Sequence, residues 1–305
     1  MADFRIEDAA FSGFGLLARR PLAALTWALV YVVFSAVMII PFAGTIVSMV
    51  SAIAKSPTGA PSPELLSSMS DLQSFNLLIW AGSLVVNSVI SCAVFRAVLR
   101  PEQSAFAYLR LGNEELWVML VQFVRNLVIV AIEFVLLIPL MIVGFISVAL
   151  SHGAGGIPGI IVGALVVVAV MIWVSLRLSL AGPITFTERQ FRLFESWTLT
   201  RGRGWRLFGV AVIVAVVAMV IYFAAVILGL ITGLALWGGM PHPASVQALL
   251  SQPPGQWVQA LAPLLMLIAS LGFVVGALLT PITLAPWPYI YKQLQPGVDI
   301  AATFS

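Results

Sequence analysis

Six apolar runs, each long enough to cross a bilayer as a helix, constrain this chain more than any other feature. They cover Leu22–Val50, Phe75–Ala97, Leu127–Leu150, Gly159–Leu180, Leu207–Trp237 and Leu261–Tyr289. Crossing about 30 Å of hydrocarbon takes roughly 20 mainly apolar residues. Lipid offers the backbone no hydrogen-bond partner, so a run in that setting must be helical. Composition agrees: 61% of residues are hydrophobic and 9% charged, against about 45–50% and about 25% in soluble domains. A soluble fold with this makeup would expose large apolar patches. The expected fold class is therefore all-α, a polytopic membrane protein of six transmembrane helices joined by amphipathic elbows. Residues 1–20 form an amphipathic N-terminal segment, 21–290 the six-helix domain and 291–305 a short tail. Pro41, Pro281 and Pro286 are the expected break points in the longer runs.

Orientation is read from arginine and lysine in the short connections. Arg5, Arg19 and Arg20 precede the first run, Arg100 and Arg110 follow the second, and Arg189, Arg192, Arg201, Arg203 and Arg206 follow the fourth; Lys292 follows the sixth. Of the opposite connections, only the first carries a basic residue, Lys55. This pattern predicts cytoplasmic termini. Residues 1–20 carry six charges and no continuous apolar core, so the first run is expected to be a retained helix, not a cleaved signal. The basic residues are dispersed through the connections, which argues against nucleic acid as a partner.

Catalytic chemistry has little to draw on. The single cysteine, Cys92, lies in an apolar run, and His152 and His242 fall in predicted external connections. No His-Glu-x-x-His helix and no glycine-rich phosphate loop occurs. The chain is expected to be a non-enzyme with no metal and no cofactor.

Charge inside a span is costly and calls for a partner or a function. At 100° per residue, Glu115, Gln122 and Asn126, leading into the third run, fall on one helical face with Glu133 inside it, and Arg125 lies beside them. Asn76, Ser83, Asn87 and Ser91 form a second stripe, and Arg177 lies near the end of the fourth run. Both stripes are expected to face the bundle interior. The intramembrane cluster Asn87, Gln122, Arg125, Asn126, Glu133 and Arg177 is open to two readings. One is polar contacts between helices; the other is a cavity or substrate path with Glu133 as its key charge. Glycines four residues apart, Gly155-Gly159-Gly163, Gly229-Gly233 and Gly272-Gly276, predict close helix packing.

The connections on the basic side alternate aromatic and charged residues at helical spacing, which suits helices in the headgroup layer. The strongest local pattern runs from Arg177-x-Ser179-Leu180-Ala181-x-Pro183 through Glu188, Arg189 and Arg192 to Glu195-Ser196-Trp197-x-Leu199-Thr200-Arg201-Gly202-Arg203-x-Trp205. It resembles the membrane domain attached to some bacterial glycerophosphoryl diester phosphodiesterases, and the stand-alone relatives of that domain. The likeness covers about thirty residues well and the six-span layout more loosely. The catalytic barrel of the fused proteins, roughly 250 residues, has no counterpart in this sequence, so the phosphodiesterase activity does not carry over. The resemblance implies a bacterial inner-membrane protein. The expected role is a lipid- or partner-organising envelope component, in contact with membrane lipids, anionic ones among them, and with a protein partner or a second copy. The alternative is a permease for a small or amphiphilic solute.

Overall fold

The computed structural model describes residues 4–39, 45, 63–150, 157–237 and 254–295. The predicted external turns at 56–63 and 153–158 fall largely outside these residues. His152, His242 and the predicted short helix 244–251 lie wholly outside them. In chain order the helices are α1 (Ile6–Ala10), α2 (Ser12–Arg19), α3 (Pro21–Ile39), α4 (Pro63–Leu99), α5 (Asn113–Leu150), α6 (Ile157–Arg177), α7 (Ala181–Glu188), α8 (Glu195–Leu199), α9 (Gly204–Trp237), α10 (Pro254–Leu284) and α11 (Pro286–Leu294). No strand occurs among the described residues.

Six stretches are long and apolar enough to cross a membrane: Pro21–Met38, Phe75–Leu99, Ala105–Ile146, Gly159–Glu188, Gly204–Leu236 and Met266–Leu294. The chain is an all-α polytopic membrane protein. The outward faces of the spans are as apolar as a soluble core. Along α5, Val130, Phe134, Val135, Ile138, Met141, Ile142 and Phe145 are all exposed. Helices apolar all round, such as α9, fit lipid as their solvent.

Several helices run well beyond the apolar segments. The third starts at Asn113, not near Leu127, and the second starts at Pro63. At 1.5 Å per residue, these extra turns carry polar and charged residues past the hydrocarbon. Proline marks the breaks selectively. Pro139, Pro263 and Pro281 lie inside helices, where a membrane bundle tolerates the missing N–H. Pro281 is thus not the break point its position predicts. Pro286 is one: it opens α11 just after Ala285, where proline's fixed φ suits the first turn.

The chain divides into two compact units. One comprises Met1–Gly13, Ser91–Val214 and Leu284–Ser305; the other comprises Phe14–Ile90 and Ala215–Thr283. In the first unit α5 packs along α6 and against α7, and α11 packs against α1 and α7. Its core gathers Phe4, Ala9, Ala10, Cys92, Phe95, Leu99, Val118, Leu180, Ile184, Phe186, Leu207 and Ile290. The N-terminal segment is therefore anchored through Phe4 and the two alanines, while Phe11 is exposed.

In the second unit Tyr31 Oη donates to Asn87 Oδ1 at 2.6 Å, tying α3 to α4. A Cβ on Gly82 would lie 2.7 Å from the Phe34 ring, and one on Gly229 would lie 3.0 Å from Leu271. The glycine spacing is only partly used for packing: Gly163 closes on Leu140, but Gly159 and Gly272 have open space. Gly155 lies outside the described residues.

Candidate functional site

The ion pairs among the described residues all lie in the first unit. The elbow after α6 shows how the sequence builds it. Helix α6 stops at Arg177, a turn follows, and α7 begins at Ala181. Helix ends leave backbone groups without partners. Ser196, fully buried, serves both ends: its hydroxyl accepts from the Leu180 N–H at 3.1 Å and donates to the Arg177 carbonyl at 2.6 Å. Thr200 Oγ1 donates to the Ser196 carbonyl at 2.8 Å, which closes α8 onto the same point. Thr185 Oγ1 accepts from the Arg192 N–H at 3.3 Å. Gly202 then turns the chain at φ +80°, a conformation that glycine adopts freely.

The predicted elbow residues separate into two groups. Glu188 and Glu195 both pair with Arg192, and Arg189 reaches α5, placing its guanidinium 2.8 Å from Glu114. These charges are held by one another. Arg201 and Trp205 are exposed, the latter at 86%. Arg203 donates to the Leu199 carbonyl at 3.1 Å.

Arg177 occupies the centre of this elbow. Its guanidinium carbon lies 5.6 Å from the Trp173 ring and 5.7 Å from the Trp197 ring. The two rings meet edge to face with centroids 4.9 Å apart. Nη1 is 3.5 Å from Thr200 Oγ1, and Nε is buried with no hydrogen-bond partner. Beside it opens a cavity of about 600 Å³ between α6 and the start of α9, walled by Ala169, Ile172, Leu176, Trp205 and Phe208.

A second cluster was not singled out from the sequence. Arg96, 1% exposed, donates through Nη2 to Glu114 at 2.9 Å and to Glu115 at 2.6 Å, and through Nη1 to the Tyr108 carbonyl. Arg100 Nη1 adds a bond to Glu114 at 2.7 Å. Phe186 lies beneath both arginines, its centroid 5.5 Å from one guanidinium and 5.1 Å from the other. With Arg189, three guanidiniums meet two carboxylates, so the cluster carries one excess positive charge. An opening of about 360 Å³ lies over it, bordered also by Arg110 and Gln103.

The connection between α4 and α5 is where the sequence misleads. Ala105–Leu111 reads as an amphipathic helical elbow. Instead Phe106, Ala107 and Tyr108 adopt φ of 50°, 54° and 66°. Three successive non-glycine residues in the left-handed region cost about 1–2 kcal/mol each. The turn persists because Arg96 grips the Tyr108 carbonyl, and the Tyr108 hydroxyl donates to the Pro101 carbonyl at 3.1 Å. Side-chain spacing carries no information about such a long-range clamp. The turn leaves Phe106 87% exposed.

The predicted intramembrane cluster does not converge. Gln122 is buried and donates to Ser91 Oγ at 3.1 Å, a contact between helices. Asn126 is half-buried. Arg125 is half-buried, with Nε lacking a hydrogen-bond partner. Glu133 is exposed, as are Asn76 and Asn87, so the two stripes face the interior only in part. A helical face is buried only as far as its neighbours extend. Along α5 the cover reaches Glu115 and Gln122 but not Glu133, about three turns beyond Gln122. Among the described residues no three His, Cys, Asp or Glu side chains converge to hold a metal ion.

No protein-family model, no curated protein and no solved structure matches this chain.

Proposed function

We propose that this chain is a non-enzymatic membrane protein that organises lipid at the cytoplasmic side of a bacterial inner membrane. The observation that carries this reading is the mixed surface at the arginine-rich end of the first unit. There Phe106, Leu111, Phe194 and Trp205 are 68–87% exposed, interleaved with exposed Arg110, Arg201 and Arg206. Aromatic and basic side chains presented together suit a headgroup layer rich in anionic lipid. Arginine in the connections supports placing this end, with both termini, in the cytoplasm. The resemblance of the segment 177–205 to the membrane domain of glycerophosphoryl diester phosphodiesterases supports the bacterial setting.

The test is lipid enrichment. Purified protein should retain anionic over zwitterionic phospholipid, and Arg110→Gln, Arg201→Gln and Arg206→Gln together should weaken that preference by ~1 kcal/mol per arginine. A reporter fused after Lys292 checks that orientation is kept. Equal retention of both lipid classes by the unsubstituted protein would remove the reading.

A permease for a small or amphiphilic solute is a second reading, favoured by one observation: Arg125 sits within a span with its Nε buried and unpartnered. It requires solute flux in proteoliposomes that Arg125→Gln abolishes.

A further inference from the structure

We infer that the groove beside Arg177 is a binding site for a single anionic glycerophospholipid, its phosphate on the Arg177 guanidinium and one acyl chain along α6. The inference rests on the lipid-organising reading above and narrows it to one site and one ligand class.

Charge is the first argument. Arg96, Arg100, Arg189 and Arg192 all have carboxylate partners. Arg177 enters no ion pair among the described residues, and its Nε is buried with no partner. Among the described residues the one hydrogen bond of its guanidinium is the long one to Thr200. Trp173 and Trp197 flank the guanidinium without neutralising it. They fix its orientation, and a planar fork held in place is suited to phosphate oxygens. An uncompensated cation at the end of a span favours an anion from outside the chain.

Shape is the second. At about 600 Å³ the groove falls within the roughly 300–1,000 Å³ usual for ligand sites. Its wall along α6 runs from Arg177 through Trp173 and Ile172 to Ala169. The eight residue steps from Arg177 to Ala169 rise about 12 Å, away from the charged end and toward the apolar middle of the span. Across the groove stand Trp205, Leu207 and Phe208 of α9. One charged end and one long apolar wall match an amphiphile. A free phosphate would engage Arg177 and leave the apolar wall unfilled.

The experiment uses the full chain in nanodiscs of phosphatidylcholine doped with phosphatidylglycerol, with bound lipid read by native mass spectrometry after detergent exchange. Arg177→Gln removes the cation. Ala169→Phe fills the apolar wall two turns away and leaves Arg177 and its tryptophans in place. The expected result is one tightly retained phosphatidylglycerol in the unsubstituted protein. Each variant should retain it about tenfold less, equivalent to ~1.4 kcal/mol, and Ala169→Phe should keep an unchanged melting temperature.

Retention of that lipid by Ala169→Phe at the unsubstituted level overturns the site, whatever Arg177→Gln does to stability. So does its displacement by inorganic phosphate, which would assign Arg177 to a soluble anion. If the unsubstituted protein enriches phosphatidylglycerol but both variants do so equally, the groove fails and the broader lipid reading stands. If the unsubstituted protein shows no enrichment, both fail.

Discussion

Arg96 and Glu115 face each other across 2.6 Å with side chains only 2% and 6% exposed. The two residues sit nineteen positions apart, on helices α4 and α5. Taking charges out of water is expensive, and the pair is maintained because the same guanidinium also donates to Glu114 and to the Tyr108 carbonyl. Glu115→Ala leaves Arg96 buried with a reduced set of partners. The expected loss is about 3–5 kcal/mol. Arg96→Met with Glu115→Ala should lose less than Glu115→Ala alone, since no buried cation is then left in need of a carboxylate. Denaturant unfolding in detergent measures both. A double variant less stable than the single one would show that Arg96 matters chiefly as the clamp on Tyr108.

Glu133 shares a helical face with Glu115 but is exposed. Glu133→Gln removes a costly charge from an outward-facing position within a span and should leave stability in detergent unchanged or slightly raised, whereas Glu115→Gln breaks a buried ion pair and should lower it. Comparable losses would mean that Glu133 has a partner inside the bundle.

Ser196 holds the end of one helix and the start of the next with a single hydroxyl. Ser196→Ala removes both bonds at a fully buried position, leaving a carbonyl and an N–H unsatisfied. Each such group costs about 1–3 kcal/mol. The melting temperature of the purified protein should fall, and backbone amides around 178–181 should exchange faster with deuterium. Unchanged exchange there would separate the elbow from its supposed cap.

Gly202 and Gly204 give a controlled comparison. A Cβ at either would meet nothing within 4 Å, but only Gly202 has a positive φ. Gly202→Ala should therefore cost about 1–2 kcal/mol from the backbone alone. Gly204→Ala, at the start of α9, should be neutral or slightly favourable. Equal effects on the melting temperature would remove the conformational explanation.

Much of the architecture was legible in the sequence because a bilayer imposes it locally. Apolar length, the need to satisfy every backbone amide, and the arginines placed between runs are properties of single segments. They yield six spans, their order and the amphipathic character of the elbow after α6. Ser196 and Gly202 belong to the elbow pattern visible in the sequence, and capping and left-handed turns depend on residue type near a helix end.

Which charges meet which was decided by tertiary structure. Glu115 reads as one member of an inward-facing polar stripe with no partner named, and packing of α4, α5 and the α6–α7 elbow is what brings Arg96, Arg100 and Arg189 onto Glu114 and Glu115. The same packing forces Phe106–Tyr108 into a conformation their side chains would not choose alone. It also decides that Gln122 is covered and Glu133 is not, although both lie on one face. Helical periodicity specifies direction around an axis; how far along that axis a neighbour extends is set by chain segments distant in sequence. That is why Arg177 could be marked as a costly charge from the sequence, while the groove beside it emerged only with the fold.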